Sequence, residues 1–151
     1  MATKIAIAGV KGRMGQNLIE SGLSNKGIEI VGVFDIAEID QEFLQTAKLP
    51  AAIATSREKS FEAADVIIDF TSPKALFAFT ESAVSSQTRL VIGTTGLEEQ
   101  HFNLLKQTGK STSVFYAPNM SFGVNSFFSL ARKAASYLKD FDIEIVETHH
   151  R

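Results

Sequence analysis

The chain contains no cysteine, which removes thiolate catalysis, cysteine-ligated zinc and any disulfide framework. That absence suits a cytosolic protein, and the cytoplasm is the expected location. Basic residues are also few: 15 Lys and Arg stand against 17 Asp and Glu, a formal charge of −2. Nowhere do they form a run able to neutralise a phosphate backbone, so nucleic acid is not an expected partner. No apolar stretch approaches the roughly 20 residues that a membrane helix needs, so no membrane partner is expected either. The start, from Met1 to Gly9, has neither the charged leader nor the apolar run of a signal peptide. Internal repeats and low-complexity segments are lacking. What remains is an ordinary globular composition, 44% hydrophobic and 21% charged, enough to build a core without metal or disulfide staples.

Short β-branched runs alternate with longer amphipathic stretches. Strands are expected at Lys4 to Ala8, Ile28 to Phe34, Asp65 to Phe70, Arg89 to Ile92 and Ser113 to Tyr116. The run Asp65-Val-Ile-Ile-Asp-Phe70 is apolar and flanked by acids, as expected of a strand covered on both faces. Helices are expected at Arg13 to Ser24, from Ser72-Pro73 through Val84, and from about Leu97 to a stop at Gly109. Between Ile36 and Ala54 the pattern is weak, with a short helix around Phe43, Leu44 and Ala47. This alternation implies right-handed crossovers and a Rossmann-like, doubly wound α/β fold with a mainly parallel sheet. Ligands of such sheets sit beyond the carboxyl ends of the strands.

The character changes near Ala117 to Phe122, dividing the chain into a dinucleotide-binding domain (residues 1–120) and the incomplete beginning of an α+β substrate-binding and oligomerisation domain (residues 121–151). Gly123 to Lys139 reads as a long helix. Phe141 to Thr148 alternates with period two, which predicts a half-exposed strand, although a lone strand has nothing to pair with.

The first strand runs directly into Gly9-Val10-Lys11-Gly12-Arg13-Met14-Gly15, which opens the first helix. This is the context a dinucleotide fingerprint requires: a tight turn, close backbone approach to a pyrophosphate, and close packing of helix on strand. The helix N-terminus adds about half a positive charge and free amide donors. Asp35 ends the second strand, where a carboxylate accepts both hydroxyls of an adenosine ribose and repels a 2′-phosphate. Ile36 follows and brings no positive charge; Lys11 and Arg13 lie in the glycine turn, where they could serve a phosphate in part. NADH is the expected cofactor, with NADPH second.

Three further segments follow strands: Asp69-Phe-Thr-Ser-Pro73, Gly93-Thr-Thr-Gly96, and Ala117-Pro-Asn-Met-Ser-Phe-Gly-Val-Asn125. All three are expected to line one cleft with small polar groups suited to a nicotinamide and its ribose. His149 and His150 end the period-two segment and point to opposite faces. That divergence argues against a metal site, and none is expected. His149 shares a face with Glu147 and suits proton transfer near neutral pH, but a pair of exposed strand-end histidines fits the residues equally. His101, on a helix with Glu98 nearby, is expected at the surface.

Taken in order, Ala-Gly-x-x-Gly-Arg-Met-Gly, Asp-Phe-Thr-x-Pro, Gly-Thr-Thr-Gly, Ala-Pro-Asn-x-Ser-x-Gly-Val-Asn and Glu-x-His-His resemble the 4-hydroxy-tetrahydrodipicolinate reductases of the diaminopimelate route to lysine. The resemblance runs from Ile5 to Arg151. It implies that Gly9 to Met14 hold a pyrophosphate, and that Asp35 holds the adenosine ribose. Gly93, Thr94 and Thr95 would lie near the nicotinamide ribose, with Ala117, Pro118, Asn119 and Met120 as nicotinamide wall and hinge. It further implies His149 as the catalytic histidine and His150 as its substrate-binding neighbour, acting on a small dicarboxylate in a homotetramer. The family continues past this point with a catalytic lysine and a Ser-Gly-Thr turn, neither of which precedes Arg151, so little turnover is expected of these 151 residues alone. The competing reading is a non-catalytic, regulatory dinucleotide-binding module; a dehydrogenase acting on aspartate or homoserine fits the middle motifs less well.

Overall fold

The computed structural model describes residues 1–146 and 148. Two compact units divide the chain, Met1–Pro118 and Asn119–Arg151. No helix among the described residues is long and apolar enough to cross a membrane.

The first unit is a five-stranded, wholly parallel sheet. Its strands are β1 (Thr3–Ala8), β2 (Ile28–Phe34), β3 (Val66–Asp69), β4 (Arg89–Ile92) and β5 (Val114–Tyr116), in spatial order β2-β1-β3-β4-β5. Helices α1 (Arg13–Ser24), α2 (Gln41–Thr46), α3 (Arg57–Ala63), α4 (Pro73–Ser86) and α5 (Glu99–Thr108) make the crossovers, with a single 3₁₀ turn at Ala51–Ile53. Outside β2, Ala54 makes one parallel bridge to Val33, and Thr55 N–H donates to the Val33 carbonyl at 3.2 Å. The arrangement is therefore the dinucleotide-binding strand order with its third strand reduced to one residue. That reduction explains why the stretch from Ile36 to Ala54 carries so little periodicity.

Alternation along β1 builds two cores. Ile5 and Ile7 join Val10, Ile19, Val33, Leu44 and Leu49 under α1 and α2. Ala6 and Ala8 face the other way, toward Phe34, Phe61, Leu76, Phe79, Ile92 and Leu105 under α3, α4 and α5. The small alanines leave room for three rings, of which Phe34 and Phe79 meet edge to face with centroids 5.6 Å apart. Burying both faces in this way is why β1 and β3 read as continuous apolar runs.

In the second unit, α6 spans Phe122–Tyr137. Ser121 caps it by accepting Val124 N–H at 3.4 Å, and Asn125 Nδ2 donates back to the Ser121 carbonyl at 2.8 Å. The strand expected from Phe141 is not formed: Asp142 to Val146 have no regular structure, and Phe141, Ile143 and Ile145 are exposed. A strand is defined by its ladder to a neighbour, and no other strand occurs among the described residues of this unit. Glu147, His149 and His150 lie outside the described residues, and with them the proposed catalytic and substrate-binding histidines.

Candidate functional site: the carboxyl edge of the sheet

Register places the ends of β1, β3 and β4 side by side: Ala8 pairs with Asp69, and Asp69 with Ile92. The loops that leave those strands therefore share one edge, at the point where the chain's path reverses between β1 and β3. This is where doubly wound sheets bind ligands.

Gly9 opens the first loop at φ +70°, a conformation that costs any other residue dear, and a Cβ there would lie 2.6 Å from the Thr71 methyl. Gly12 N–H returns to the Gly9 carbonyl at 3.1 Å, and Gly12 caps α1 without any side-chain hydrogen bond. Gly15 is buried; a Cβ on it would collide with the Gly9 carbonyl and come within 2.6 Å of Val10 Cα. The first-turn amides of Arg13, Met14 and Gly15 thus stand at the edge with their dipole facing outward, and no side chain occupies the cap position. Val10 is fully buried and Gly12, Arg13 and Met14 are exposed, so the loop presents backbone at its tip. The glycines let the turn pack tightly on itself and on Thr71, which leaves the first-turn amides of α1 bare at its tip, and bare amides at a helix N-terminus fit a diphosphate.

Asp35 reaches this loop. Its Oδ2 accepts Lys11 N–H at 2.8 Å and its Oδ1 accepts Ala37 N–H at 3.0 Å. Lys11 turns its ammonium away: Nζ donates to the Glu38 carbonyl at 2.7 Å and to Asp40 Oδ2 at 3.0 Å, and lies 5.6 Å from the Phe43 ring centroid. The hydrogen bond from Phe43 N–H and the Lys11 ammonium hold the Asp40 carboxyl below its usual range. Lys11 therefore serves the site by fastening Asp35 through its backbone, with its charge turned away.

The β3 and β4 loops bring Asp69, which the motif presents only as part of a segment, to the same edge as Thr94. Asp69 is fully buried, and its Oδ1 accepts both the Thr71 N–H at 2.8 Å and the Thr71 hydroxyl at 2.6 Å. Burial pushes the Asp69 carboxyl up, against the opposing pull of the Thr71 hydroxyl and amide and of the Thr94 hydroxyl. Gly93 packs against the Phe70 ring, where a Cβ would collide, and its N–H donates to the Asp69 carbonyl at 2.8 Å. Thr94 is buried while Thr95 is exposed, so the two threonines point to opposite sides. Ser72 sits at the cap of α4 with Pro73 at its first position, as the sequence predicts, but its side chain makes no cap bond.

Ala117 follows β5 and donates its N–H to the Ile92 carbonyl at 3.1 Å; Pro118 ends the first unit. Asn119 and Met120 belong to the second unit, where Asn119 Oδ1 accepts Ser121 N–H at 2.8 Å. The first unit therefore gathers Gly9 to Met14, Asp35, Gly93 to Thr95 and Ala117–Pro118 on strand ends of one sheet.

His101 is a correction. It is buried, not exposed: its Nδ1 accepts Glu98 N–H at 3.0 Å, and its ring packs tilted against that of Phe77 with centroids 5.5 Å apart. Together with Leu105 and Thr108 it forms the inward stripe of α5. Among the described residues no cluster of His, Cys, Asp or Glu is arranged to hold a metal ion.

Comparison with known proteins agrees with this geometry. Residues 3–120 match the family described as "Dihydrodipicolinate reductase, N-terminus". Over 150 residues the chain is 41% identical to the 4-hydroxy-tetrahydrodipicolinate reductase of Wolinella succinogenes, covering 98% of this chain and 57% of that protein. A reductase of the same name from Sulfurovum sp. strain NBC37-1 is 40% identical over 153 residues, again covering 57% of its length. The chain thus spans a little over half of the curated relatives it matches. Among solved structures, the dipicolinate-bound dihydrodipicolinate reductase from Paenisporosarcina sp. TG-14 superposes with a TM-score of 0.65 at 25% identity, covering 91% of this chain and 55% of that one. GenD2 from gentamicin A biosynthesis, solved with NAD, shares the fold alone, at 12% identity and a TM-score of 0.62. With most of its length matched by that family description, the chain belongs to the dihydrodipicolinate reductase family, to whose N-terminal portion it corresponds.

Proposed function

We propose that this chain is the dinucleotide-binding portion of a 4-hydroxy-tetrahydrodipicolinate reductase, and that it favours NADH over NADPH. The observation that carries the reading is the turn from Gly9 to Gly15. Its backbone amides open the N-terminus of α1 with no side chain to fill the space, at the reversal point of a parallel sheet. Arg13, Met14 and their neighbours in the turn would hold the diphosphate by backbone N–H. Asp35 would accept the adenosine ribose hydroxyls on lone pairs left over from Lys11 and Ala37. Thr95 is the exposed threonine beside the nicotinamide ribose, with Gly93 and Thr94 behind it, while Ala117, Pro118, Asn119 and Met120 form the nicotinamide wall and hinge.

A bound, reduced nicotinamide supplies the hydride for C4 of the cyclic imine formed when the hydroxy precursor loses water. The chain's own part is to orient, and to move a proton: His149 donates to the carbon adjacent to C4, and His150 holds the dicarboxylate. Homotetrameric assembly and a cytoplasmic site of action complete the reading.

NADH is favoured because Asp35 repels a 2′-phosphate and the nearest lysine is already engaged by Asp40 and the Glu38 carbonyl. Titration of the chain with each cofactor, followed by nicotinamide fluorescence, is the test. The expected result is a Kd for NADH lower by about tenfold or more. Equal or tighter NADPH binding overturns the assignment of Asp35, and failure to bind either cofactor overturns the whole reading.

A further inference from the structure

Among the described residues, the only buried side-chain nitrogen or oxygen atoms without a hydrogen-bond partner are Asp69 Oδ2 and Thr94 Oγ1. Both lie at the carboxyl edge, one closing β3 and the other just past β4, on loops joined by the bond from Gly93 N–H to the Asp69 carbonyl at 2.8 Å. Folded proteins rarely leave buried polar atoms unpaired, and each such atom calls for an explanation. Here the two atoms are complementary, because a hydroxyl donates and a carboxylate oxygen accepts. The Thr94 hydroxyl is near enough to pull the Asp69 carboxyl toward its charged form, yet it makes no hydrogen bond to Oδ2. No charged side chain acts on Asp69, whose strand neighbours are Ala8 and Ile92; only Thr71 and Thr94 oppose its burial.

The other oxygen of Asp69 is fully used. Oδ1 holds Thr71 by its N–H and its hydroxyl, and the Thr71 methyl fills the space that a Cβ on Gly9 would take. One face of the carboxyl is thus fastened, through Thr71, to the glycine turn. Oδ2 has no such partner, and besides Thr71 the one side chain that acts on this carboxyl is Thr94.

We propose that Asp69 is a positioning residue for the dinucleotide: as the cofactor seats, Thr94 Oγ1 donates to Asp69 Oδ2 and fixes the loop after β4 against the glycine turn. Asp69 is fully buried, so its part is to act through Thr94. The hydrogen bond relieves two desolvated atoms in the bound state alone, so its stabilisation is read as affinity rather than as fold stability. This inference rests on the dinucleotide reading above.

The test uses the full chain with NADH as the probe, and compares Thr94→Ser and Thr94→Val with the parent. Thr94→Val is expected to bind NADH about tenfold more weakly than the parent, and Thr94→Ser, which keeps the hydroxyl, is expected to bind it more tightly than Thr94→Val does. The melting temperature of the unliganded Thr94→Val protein is expected to stay level or rise, because one unpaired buried atom has been removed. A second readout follows the Asp69 carboxyl carbon by NMR across a pH series. Adding NADH is expected to lower its midpoint in the parent relative to the same addition in Thr94→Val, since donation from Thr94 favours the charged form. Parent-like NADH binding by Thr94→Val, a binding loss matched by a loss of melting temperature, or identical midpoint changes in both proteins overturns the proposal. If the parent binds no NADH, the dinucleotide reading itself fails and the positioning role falls with it; if the parent binds and the variants do not differ, only the positioning role fails.

Discussion

Asp35, at the end of β2, accepts the backbone N–H of Lys11 at 2.8 Å and so holds the glycine turn that follows β1. The residue that would read the adenosine ribose is also a strut of the loop that would hold the diphosphate, so the two tasks cannot be separated by deleting it. Asp35→Ala removes an acceptor from Lys11 N–H and another from Ala37 N–H. NADH affinity is expected to fall about tenfold or more, from the ribose contacts and the loosened turn together. NADPH should lose less, because the repulsion of its 2′-phosphate disappears as well. Titration of both cofactors against the variant checks the ratio.

Gly15 is the second lever on the same loop. Its Cα faces the Gly9 carbonyl and Val10 Cα so closely that Gly15→Ala forces α1 away from β1. The expected cost is about 1–3 kcal/mol of unfolding free energy, typical of an overpacked core position. Denaturant unfolding measures that cost, and a NADH titration under native conditions should show weakened binding as the first-turn amides move.

Asp69 gives a pH dependence with a definite sign. Its folded-state pKa is raised above the ordinary value of 3.8, so the folded chain holds this proton more tightly than the unfolded chain. The stabilisation is therefore complete below the unfolded value and is lost as pH rises through the raised folded value. Asp69→Asn keeps an acceptor for Thr71 and cannot ionise. Measured by urea unfolding at a series of pH values, the variant should gain on the parent as pH rises from about 3.8 toward neutrality. A constant difference across that window contradicts the assignment.

His101 is expected to be structural. Its Nδ1 accepts Glu98 N–H, which places the ring proton on Nε2, and its ring packs on Phe77. His101→Ala should cost about 1–2 kcal/mol through the lost cap and contact. The same variant should bind NADH as the parent does under conditions where both are folded.

The strands were legible because both faces of the sheet are covered, which turns β1, β3 and β4 into apolar runs bounded by turns. Helix α3 was not, because Ser56 caps only seven residues and its two inward side chains are Ser60 and Phe61. The outermost strand has shrunk to Ala54, which leaves no pattern to read. The expected strand from Phe141 fails for the opposite reason: period two is a property of the sequence, but a ladder needs a neighbour.

In the site, glycine spacing pointed to the turn because the constraint is steric and local. Asp69 was missed as an individual because an acid at the end of an apolar run looks the same whether it is solvated or buried. Asp65, at the other end of the same run, is exposed and merely accepts Lys4 N–H at 2.9 Å, whereas Asp69 faces the sheet edge with no exposure at all. His101 was misplaced although its stripe with Leu105 and Thr108, at spacings of four and three, was in the sequence. A histidine near Glu98 reads as outward-facing, whereas the α5 cap needs its ring inside.

The most direct measurement is an amide NMR titration of the chain with NADH. The largest shifts are expected at the N–H groups of Gly12, Arg13, Met14 and Gly15, with a second set at Asp35 and Ala37 and a third at Gly93 to Thr95. Unchanged signals from Gly12 to Gly15 at saturating NADH, or shifts confined to other parts of the chain, would contradict a diphosphate seated on the amino end of α1.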